Sequence, residues 1–256
     1  MKTHATTLAI VLTLLTGCTG ETFLSTGTDG EDDPSEFDGA SLSITSPLPA
    51  AIYFLDEPVP LQGSILSADG EVLDFEDIVW TTDVDGEIAT GTNQEAELDW
   101  GIKTFTVTAD LPNGDRLQTV LGGVRVQGLH TGIYGGNFSI SFSAEFEGTP
   151  ITASCLGGLN FVVDMSGELL VGDQGSCTVN LLVVGEFDVG YGVEADVADD
   201  SADGNVQINT GFVDLPVAFE GNFEEESLSA SFEGNAFLFE FDGELQADRL
   251  SLYVDP

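Results

Sequence analysis

The side chains that could do chemistry are few and dispersed. Asp199, Ser201 and Asp203, with Gly204 sixth, put oxygens at the alternate positions with which a calcium loop begins, although Thr210 stands where a bidentate glutamate should close it. Asp, Ser and Gly in a short connection are equally what a hairpin turn selects. The residues therefore allow a weak calcium site, the single cofactor they suggest, or a plain turn. A second acidic turn, Asp83-Val84-Asp85-Gly86-Glu87, has the same two readings. For catalysis there is little to draw on. His130 is the one histidine beyond His4, so a Ser-His-Asp or Cys-His constellation would have to be built on it alone. One histidine cannot assemble a histidine metal site. Carboxylate pairs suited to glycoside hydrolysis abound among 45 acidic residues, and nothing singles out two of them. The expectation is a protein without enzymatic activity and without catalytic residues.

Two cysteines have a geometric use. Cys155 and Cys177 are symmetric about Ser166, which lies in the turn Met165-Ser166-Gly167. Antiparallel pairing that sets Asp164 opposite Glu168 also sets Cys155 opposite Cys177, and a cross-strand disulfide is expected, two buried thiols being the alternative. Closing that loop contributes roughly 3 kcal/mol if the bond is unstrained. A second hairpin is expected to place Val197 opposite Val206 and Ala195 opposite Ile208, around a loop Asp199 to Gly204. Glu224-Glu225-Glu226 reads as a solvated hairpin tip that keeps strand edges apart.

The third cysteine carries a different signal. A basic start (Lys2, with His4) leads into the apolar run Leu8 to Leu15, followed by Leu15-Thr16-Gly17-Cys18. This ending resembles the lipobox of bacterial lipoproteins. The resemblance implies that residues 1–17 are a signal peptide and that Cys18 becomes the first mature residue, carrying a thioether-linked diacylglycerol and an acylated amine. Membrane lipid is then a partner through Cys18, and export permits the disulfide. Thr19 is not the aspartate that retains lipoproteins at the inner membrane in the familiar sorting rule, which favours the outer membrane. The apolar run is too short to span a bilayer core, which needs roughly 20 residues.

Composition bounds the remainder. Forty-five acidic against five basic side chains give a net charge of −40, a field that excludes nucleic acid as a partner. Beyond the signal the cations are Lys103, Arg116, Arg125 and Arg249. Such acidity fits a solvated surface, a saline habitat or binding of divalent cations. Seventeen Phe, 31 Gly and 42% apolar residues, with Thr, Ser and Val in the periodic stretches, argue for an ordered all-β chain rather than disorder.

The elements divide at composition changes. Residues 18–40, with Phe23, Leu24 and Phe37 as their large apolar residues and an acidic run Glu31-Asp32-Asp33-Pro34, read as a disordered acidic tether. Residues 41–127 alternate in short strands: Ser41 to Thr45, Val59 to Leu66, Asp77 to Thr82, Glu95 to Trp100, Thr104 to Ala109 and Leu117 to Gln127. That number of short strands suggests a β-sandwich. The strings Ile44-Thr45-Ser46-Pro47, Trp80 through Gly91, and Gly101 through Asp110 with Asn113-Gly114 resemble bacterial immunoglobulin-like domains of the PKD type. The resemblance implies an Ig-like sandwich with Trp80 in its core and a turn shaped by Asp110 and Gly114.

Residues 128–256 form a second antiparallel β-domain, entered through Gly128 to Gly136. Phe138, Ile140, Phe142, Ala144 and Phe146 are expected on one face of a strand and Ser139, Ser141, Ser143 and Glu145 on the other. Further strands are expected at Asn160 to Asp164, Glu168 to Val171, Thr178 to Phe187, Tyr191 to Val197, Asn205 to Asn209, Val213 to Glu220, Leu228 to Phe232 and Ala236 to Phe241. Such a meander closes into an up-and-down barrel or folds into a sandwich, and the barrel is favoured because it removes exposed edges. Trp100, Tyr53, Tyr134, Tyr191 and Tyr253 are scattered aromatic platforms for sugars. The functional expectation is a lipid-anchored cell-envelope protein that displays an Ig-like spacer and a distal β-domain to a protein or glycan partner. A calcium-dependent carbohydrate- or protein-binding module and a lipocalin-like small-ligand carrier are the alternatives.

Overall fold

The computed structural model describes residues 36–181, 185–211, 213–236 and 239–254, and their secondary structure is β-strand and turn. The signal, the lipobox with Cys18, and the tether up to residue 35 lie outside the described residues. Eight strands form the first unit: β1 (Ser41–Ser46), β2 (Ile52–Phe54), β3 (Val59–Leu66), β4 (Ile78–Thr82), β5 (Gly86–Thr90), β6 (Asn93–Ala96), β7 (Gly101–Asp110) and β8 (Arg116–Gln127). They make a three-stranded sheet, β1-β3-β6, and a five-stranded sheet, β2-β8-β7-β4-β5. Both sheets feed one core. Val59, Leu61 and Ile65 alternate inward from β3, while Ile78, Trp80, Phe105, Val107, Val124 and Val126 face them from the other sheet. Trp80 is fully buried and its Nε1 donates to the Gly91 carbonyl at 2.8 Å, which satisfies the one polar atom of the ring. Its far edge lies against Gly63, where a Cβ would come within 3.2 Å of both Trp80 and Ile44.

The first unit departs from the sequence expectation at three places. Phe37 and Ala40 are buried in this core, Phe37 edge-on to Phe75 at 5.9 Å, so the last residues assigned to the tether fold onto the sheets. The short strands β2 and β5 had no periodicity long enough to reveal them, and β2 pairs in parallel with β8. The strand expected over Glu95 to Trp100 is mostly a connection: β6 ends at Ala96, residues 97–100 are not strand, and β7 begins at Gly101, whose φ of +138° only glycine adopts freely.

Nine strands form the second unit: β9 (Gly132–Phe146), β10 (Thr149–Val163), β11 (Leu169–Gly172), β12 (Gly175–Leu181), β13 (Gly185–Ala198), β14 (Ser201–Asn209), β15 (Asp214–Glu224), β16 (Ser227–Ala236) and β17 (Phe239–Ser251). β9 pairs with both β10 and β17, and β11 pairs with both β10 and β13. The sheet therefore closes on itself as an eight-stranded barrel in which β11 and β12 share one position beside β13. Alternation puts Phe138, Ile140 and Phe142 inside and Ser139, Ser141, Ser143 and Glu145 outside, as the period-two pattern requires; the Phe146 side chain lies outside the described residues. Rings stack through the interior: Tyr134 on Phe161 at 4.8 Å, and Phe138 on Tyr191 at 3.9 Å and on Phe232 at 5.5 Å. Glycines opposite rings make this stacking fit. Gly243 faces Phe232 across β16–β17 and Gly234 faces Phe241, and a Cβ on either glycine would overlap the facing ring.

Two strand boundaries were hidden in apolar runs. Thr178 to Phe187 is not one strand: β12 and β13 meet as a hairpin with Leu181 opposite Gly185, and Leu182-Val183-Val184 carry no turn residue to announce it. Ala236 to Phe241 is likewise the junction of β16 and β17, with Ala236 opposite Phe239. In both cases the expected span includes residues outside the described ones.

Candidate functional site

The most elaborate polar arrangement lies where the two units join. Residues 128–131 cross one end of the barrel and are held by the β10–β11 turn, by two hairpin tips and by β17. Gly128 N donates to Met165 O at 3.0 Å, and Thr131 Oγ1 donates to Asp164 O at 2.7 Å. The buried His130 ring stacks on Phe223 at 4.2 Å and places Nε2 3.0 Å from Asp200 Oδ1, on the tip of the β13–β14 hairpin. The Tyr134 hydroxyl donates to the His130 carbonyl at 2.9 Å. Arg249 donates through one terminal nitrogen to Leu129 O at 2.8 Å, while its other lies 3.7 Å from Glu226 on the tip of the β15–β16 hairpin. His130 is thereby a plug residue, packed and oriented as part of the barrel end.

The chain's last described residues fold back over the same junction. Arg125 donates to Val254 O at 2.8 Å with its guanidinium 5.3 Å from the Tyr253 ring centroid, and Gln127 Nε2 donates to Leu252 O at 3.1 Å. Three of the four Lys and Arg among the described residues are used in this way: Arg125 and Arg249 clamp the junction and Lys103 anchors the first unit, while Arg116 is exposed, 3.6 Å from Asp110. Lys103 is fully buried, with Nζ 2.9 Å from Asp85 Oδ2. Burial pushes the Asp85 carboxyl up, but hydrogen bonds from Lys103 and Thr82 and the lysine charge outweigh it and hold its pKa below the usual carboxylate value. The acidic turn Asp83 to Glu87 thus has a structural use, with Asp83 accepting from Thr104 N at 2.9 Å as well. Burial raises the pKa of the Tyr134 and Tyr191 hydroxyls. Sequence reasoning named Arg125 and Arg249 as scarce cations without giving them a role, and passed over Gln127, which nothing in the sequence marks.

The residues suggested for calcium are not gathered around a loop. Ala198 pairs with Ser201, so the turn is only Asp199-Asp200, with Asp199 at φ +52°, and Ser201 to Asn209 is strand β14. The register differs from the expected one: Val197 lies opposite Ala202 and Ala195 opposite Gly204, while Val206 faces Val193 and Ile208 faces Tyr191. A two-residue turn replaced the six-residue loop because β14 carries its alternation back through Ala202 and Val206, both buried. Ser201 donates its hydroxyl to Ala198 O at 2.9 Å, and Asp203 points outward between Asp196 and Glu220 on the neighbouring strands. Among the described residues, no group of three or more His, Cys, Asp or Glu is placed to hold a metal ion.

Cys155 and Cys177 are disulfide-bonded, as expected, but across a different geometry. The β10–β11 ladder pairs Val163 with Leu170 and Phe161 with Gly172, one residue out of the expected register, and stops there. The disulfide joins β10 to β12 beyond the end of that ladder.

From β13 round to β9 the outer wall of the barrel is largely acidic and hydroxylic, while Leu156 on β10 and Leu169 and Val171 on β11 are exposed apolar side chains. One row across the strands reads Asp196, Asp203, Glu220, Ser231, Glu244, Ser139, and the next includes Glu233, Asp242 and Ser141. Of the aromatic platforms considered for sugars, Tyr134 and Tyr191 are buried inside the barrel, Tyr253 lies under Arg125, and Trp100 is exposed. No protein-family model matches this chain, and no curated protein matches it.

Proposed function

We propose that this chain is a non-enzymatic lipoprotein of the cell envelope. Acyl chains on Cys18 hold it at a membrane, the outer membrane being favoured; residues 19–36 form a tether; and an Ig-like sandwich of the PKD type spaces the barrel away from the lipid for contact with a protein or glycan partner. The observation that carries this reading is the polarity of the barrel: Phe, Tyr and Val inside, Ser, Asn, Asp and Glu outside. A barrel that spans a bilayer has an apolar outer band, so this wall is suited to water and to surface contact. The clamps at Arg125, Gln127 and Arg249 support a fixed orientation of the barrel on its spacer, which is what display requires. The stacked rings of the barrel interior favour this reading over a small-ligand carrier.

Two measurements test the reading. Mass spectrometry of the N-terminal peptide from membranes should find Cys18 acylated, and Cys18→Ser should move the protein into the soluble fraction; an unmodified Cys18 in membrane-free protein defeats the anchor. Protease treatment of intact cells should then release the folded units if the display faces outward, while protection until the outer membrane is breached places them in the periplasm.

A further inference from the structure

The barrel wall is not hydrogen-bonded along its whole length: among the described residues β15 and β16 pair only from Phe219 opposite Phe232 to Glu224 opposite Ser227, and β10 and β12 show no ladder pairing at all. From Leu169 to Gly172 the wall is continuous, because β11 is hydrogen-bonded to β10 on one side and to β13 on the other. From Gly175 onward β12 is paired with β13 alone, although it still runs alongside β10. Two cross-links occupy this seam. The Cys155–Cys177 disulfide ties β10 to β12, and the Tyr191 hydroxyl, reaching from β13, donates to the Gly158 carbonyl of β10 at 2.6 Å. Gly157 and Gly175 make room for that hydroxyl, since a Cβ on either would overlap the Tyr191 ring or its oxygen. Tyr191 is also stacked on Phe138, so the aromatic interior lies directly behind the seam. On the outside Leu156, next to the bonded cysteine, is 72% exposed.

We propose that the disulfide is the latch of this seam: a dithiol that reduces it opens the wall between β10 and β12 onto the aromatic interior, and a disulfide donor closes it again. The reasoning is comparative. Each other neighbouring pair of barrel strands carries a ladder of backbone hydrogen bonds over all or part of its length, whereas β10 and β12 are joined by one covalent bond, which a two-electron exchange removes, with the single Tyr191–Gly158 hydrogen bond beside it. In that exchange a dithiol thiolate attacks one sulfur, the Cys155–Cys177 bond breaks, and a mixed disulfide forms. The reagent's second thiol then displaces the second protein thiol; both cysteines end protonated and the reagent leaves as its cyclic disulfide. Both cysteines are buried, at 6% and 8% exposure, so reduction proceeds through breathing of the seam and is slow.

The test uses the full chain and dithiothreitol. After treatment, alkylation and peptide mapping confirm that Cys155 and Cys177 are free, and hydrogen exchange is read on peptides covering 149–159 and 175–181, with 201–209 and 219–232 as internal references. The expected result is exchange faster by about tenfold or more in the two seam peptides with the references unchanged, together with new binding of an apolar fluorescent dye, both reversed by oxidised glutathione. A Cys155→Ser/Cys177→Ser double variant should show the same local pattern without reductant. Four results overturn the proposal: a disulfide that dithiothreitol does not reduce in the folded chain, unchanged seam exchange once reduction is verified, loss of protection spread over all barrel strands, or unfolding of the barrel. If the double variant does not fold, the reduced wild-type chain decides.

Discussion

Lys103, fully buried on β7, is bonded through Nζ to both carboxylate oxygens of Asp85, at 2.9 and 3.1 Å. Asp85 also accepts from Thr82 Oγ1 at 2.8 Å, and its own amide donates back to that hydroxyl, so the turn before β5 is built around the lysine head. Removing one member of such a pair strands the other's charge or its hydrogen bonds, with a cost of about 3 kcal/mol. Asp85→Asn and Lys103→Met are each expected to lower the stability of the first unit by roughly that amount, and the double change by clearly less than the sum. Denaturant titration followed by Trp80 fluorescence measures this.

The same pair sets an acid limit. The Asp85 pKa is lowered in the folded state, so the stability it contributes is full above the unfolded carboxylate value and is lost as pH falls through the folded value. Wild-type protein should lose stability in this acid window more steeply than Asp85→Asn. Parallel pH profiles for the two would refute the assignment.

At the alkaline end the sign reverses. Burial raises the pKa of Tyr191 and Tyr134, so folding favours the neutral phenol, and that contribution is lost as pH rises beyond the ordinary tyrosine value toward the folded one. Ultraviolet titration of tyrosinate should show Tyr191 and Tyr134 ionising together with barrel unfolding. Tyr191→Phe should remove the 2.6 Å bond to Gly158 O and leave that carbonyl unmatched, at a cost of about 1–2 kcal/mol.

Like charges stand directly opposite on the barrel wall, Asp196 beside Asp203 and Asp203 beside Glu220, and cross-strand pairs of one sign repel. With a net charge of −40, screening should stabilise the protein: raising monovalent salt from low concentration to near 1 M, where the Debye length falls to about 3 Å, should raise Tm by several degrees. Asp203→Asn should itself be stabilising by a few tenths of a kcal/mol at low salt. Calcium and magnesium at matched ionic strength should act alike. A larger shift with calcium that Asp203→Asn abolishes would mean a bound ion rather than screening.

The parts of this fold legible in the sequence are those that alternation alone determines. The period-two run from Phe138 to Ala144 gave the inner and outer faces of β9, and the symmetry of Cys155 and Cys177 about one turn paired them. Register was less accessible, because it depends on turn length. Asp199 to Gly204 contains enough turn-forming residues for a six-residue loop, and only the burial of Ala202, with Val206 facing Val193, selects the two-residue turn. Closure into a barrel was expected from the meander and is what the ladders show, but the contacts that join the two units were not legible. Arg125 meets Val254, and Arg249 meets Leu129, across separations of more than a hundred residues, and nothing near either arginine marks its partner.

That junction yields the sharpest steric prediction. Gly128, the first residue of the plug, lies against Gly167 at the β10–β11 turn, and a Cβ on Gly128 would come to 2.6 Å from the Ser166 carbonyl oxygen and 2.8 Å from the Gly167 amide nitrogen. These are backbone atoms of a turn pinned by Asp164, which accepts from Ser166 Oγ at 2.8 Å, so no flexible side chain can yield. Gly128→Ala must therefore move the plug or the turn, with overpacking costs of about 1–3 kcal/mol. It should also break the Gly128 N bond to Met165 O and weaken the Thr131 bond to Asp164 O. Gly122→Ala is the matched control, because a Cβ there meets open space. Thermal melts of the two variants should separate by several degrees, and limited proteolysis should cut Gly128→Ala, but not Gly122→Ala, between the two units. Equal melting and equal resistance to protease would show that the plug is loose enough to accept a methyl group and that the clamps at Arg125 and Arg249 hold the units together without it.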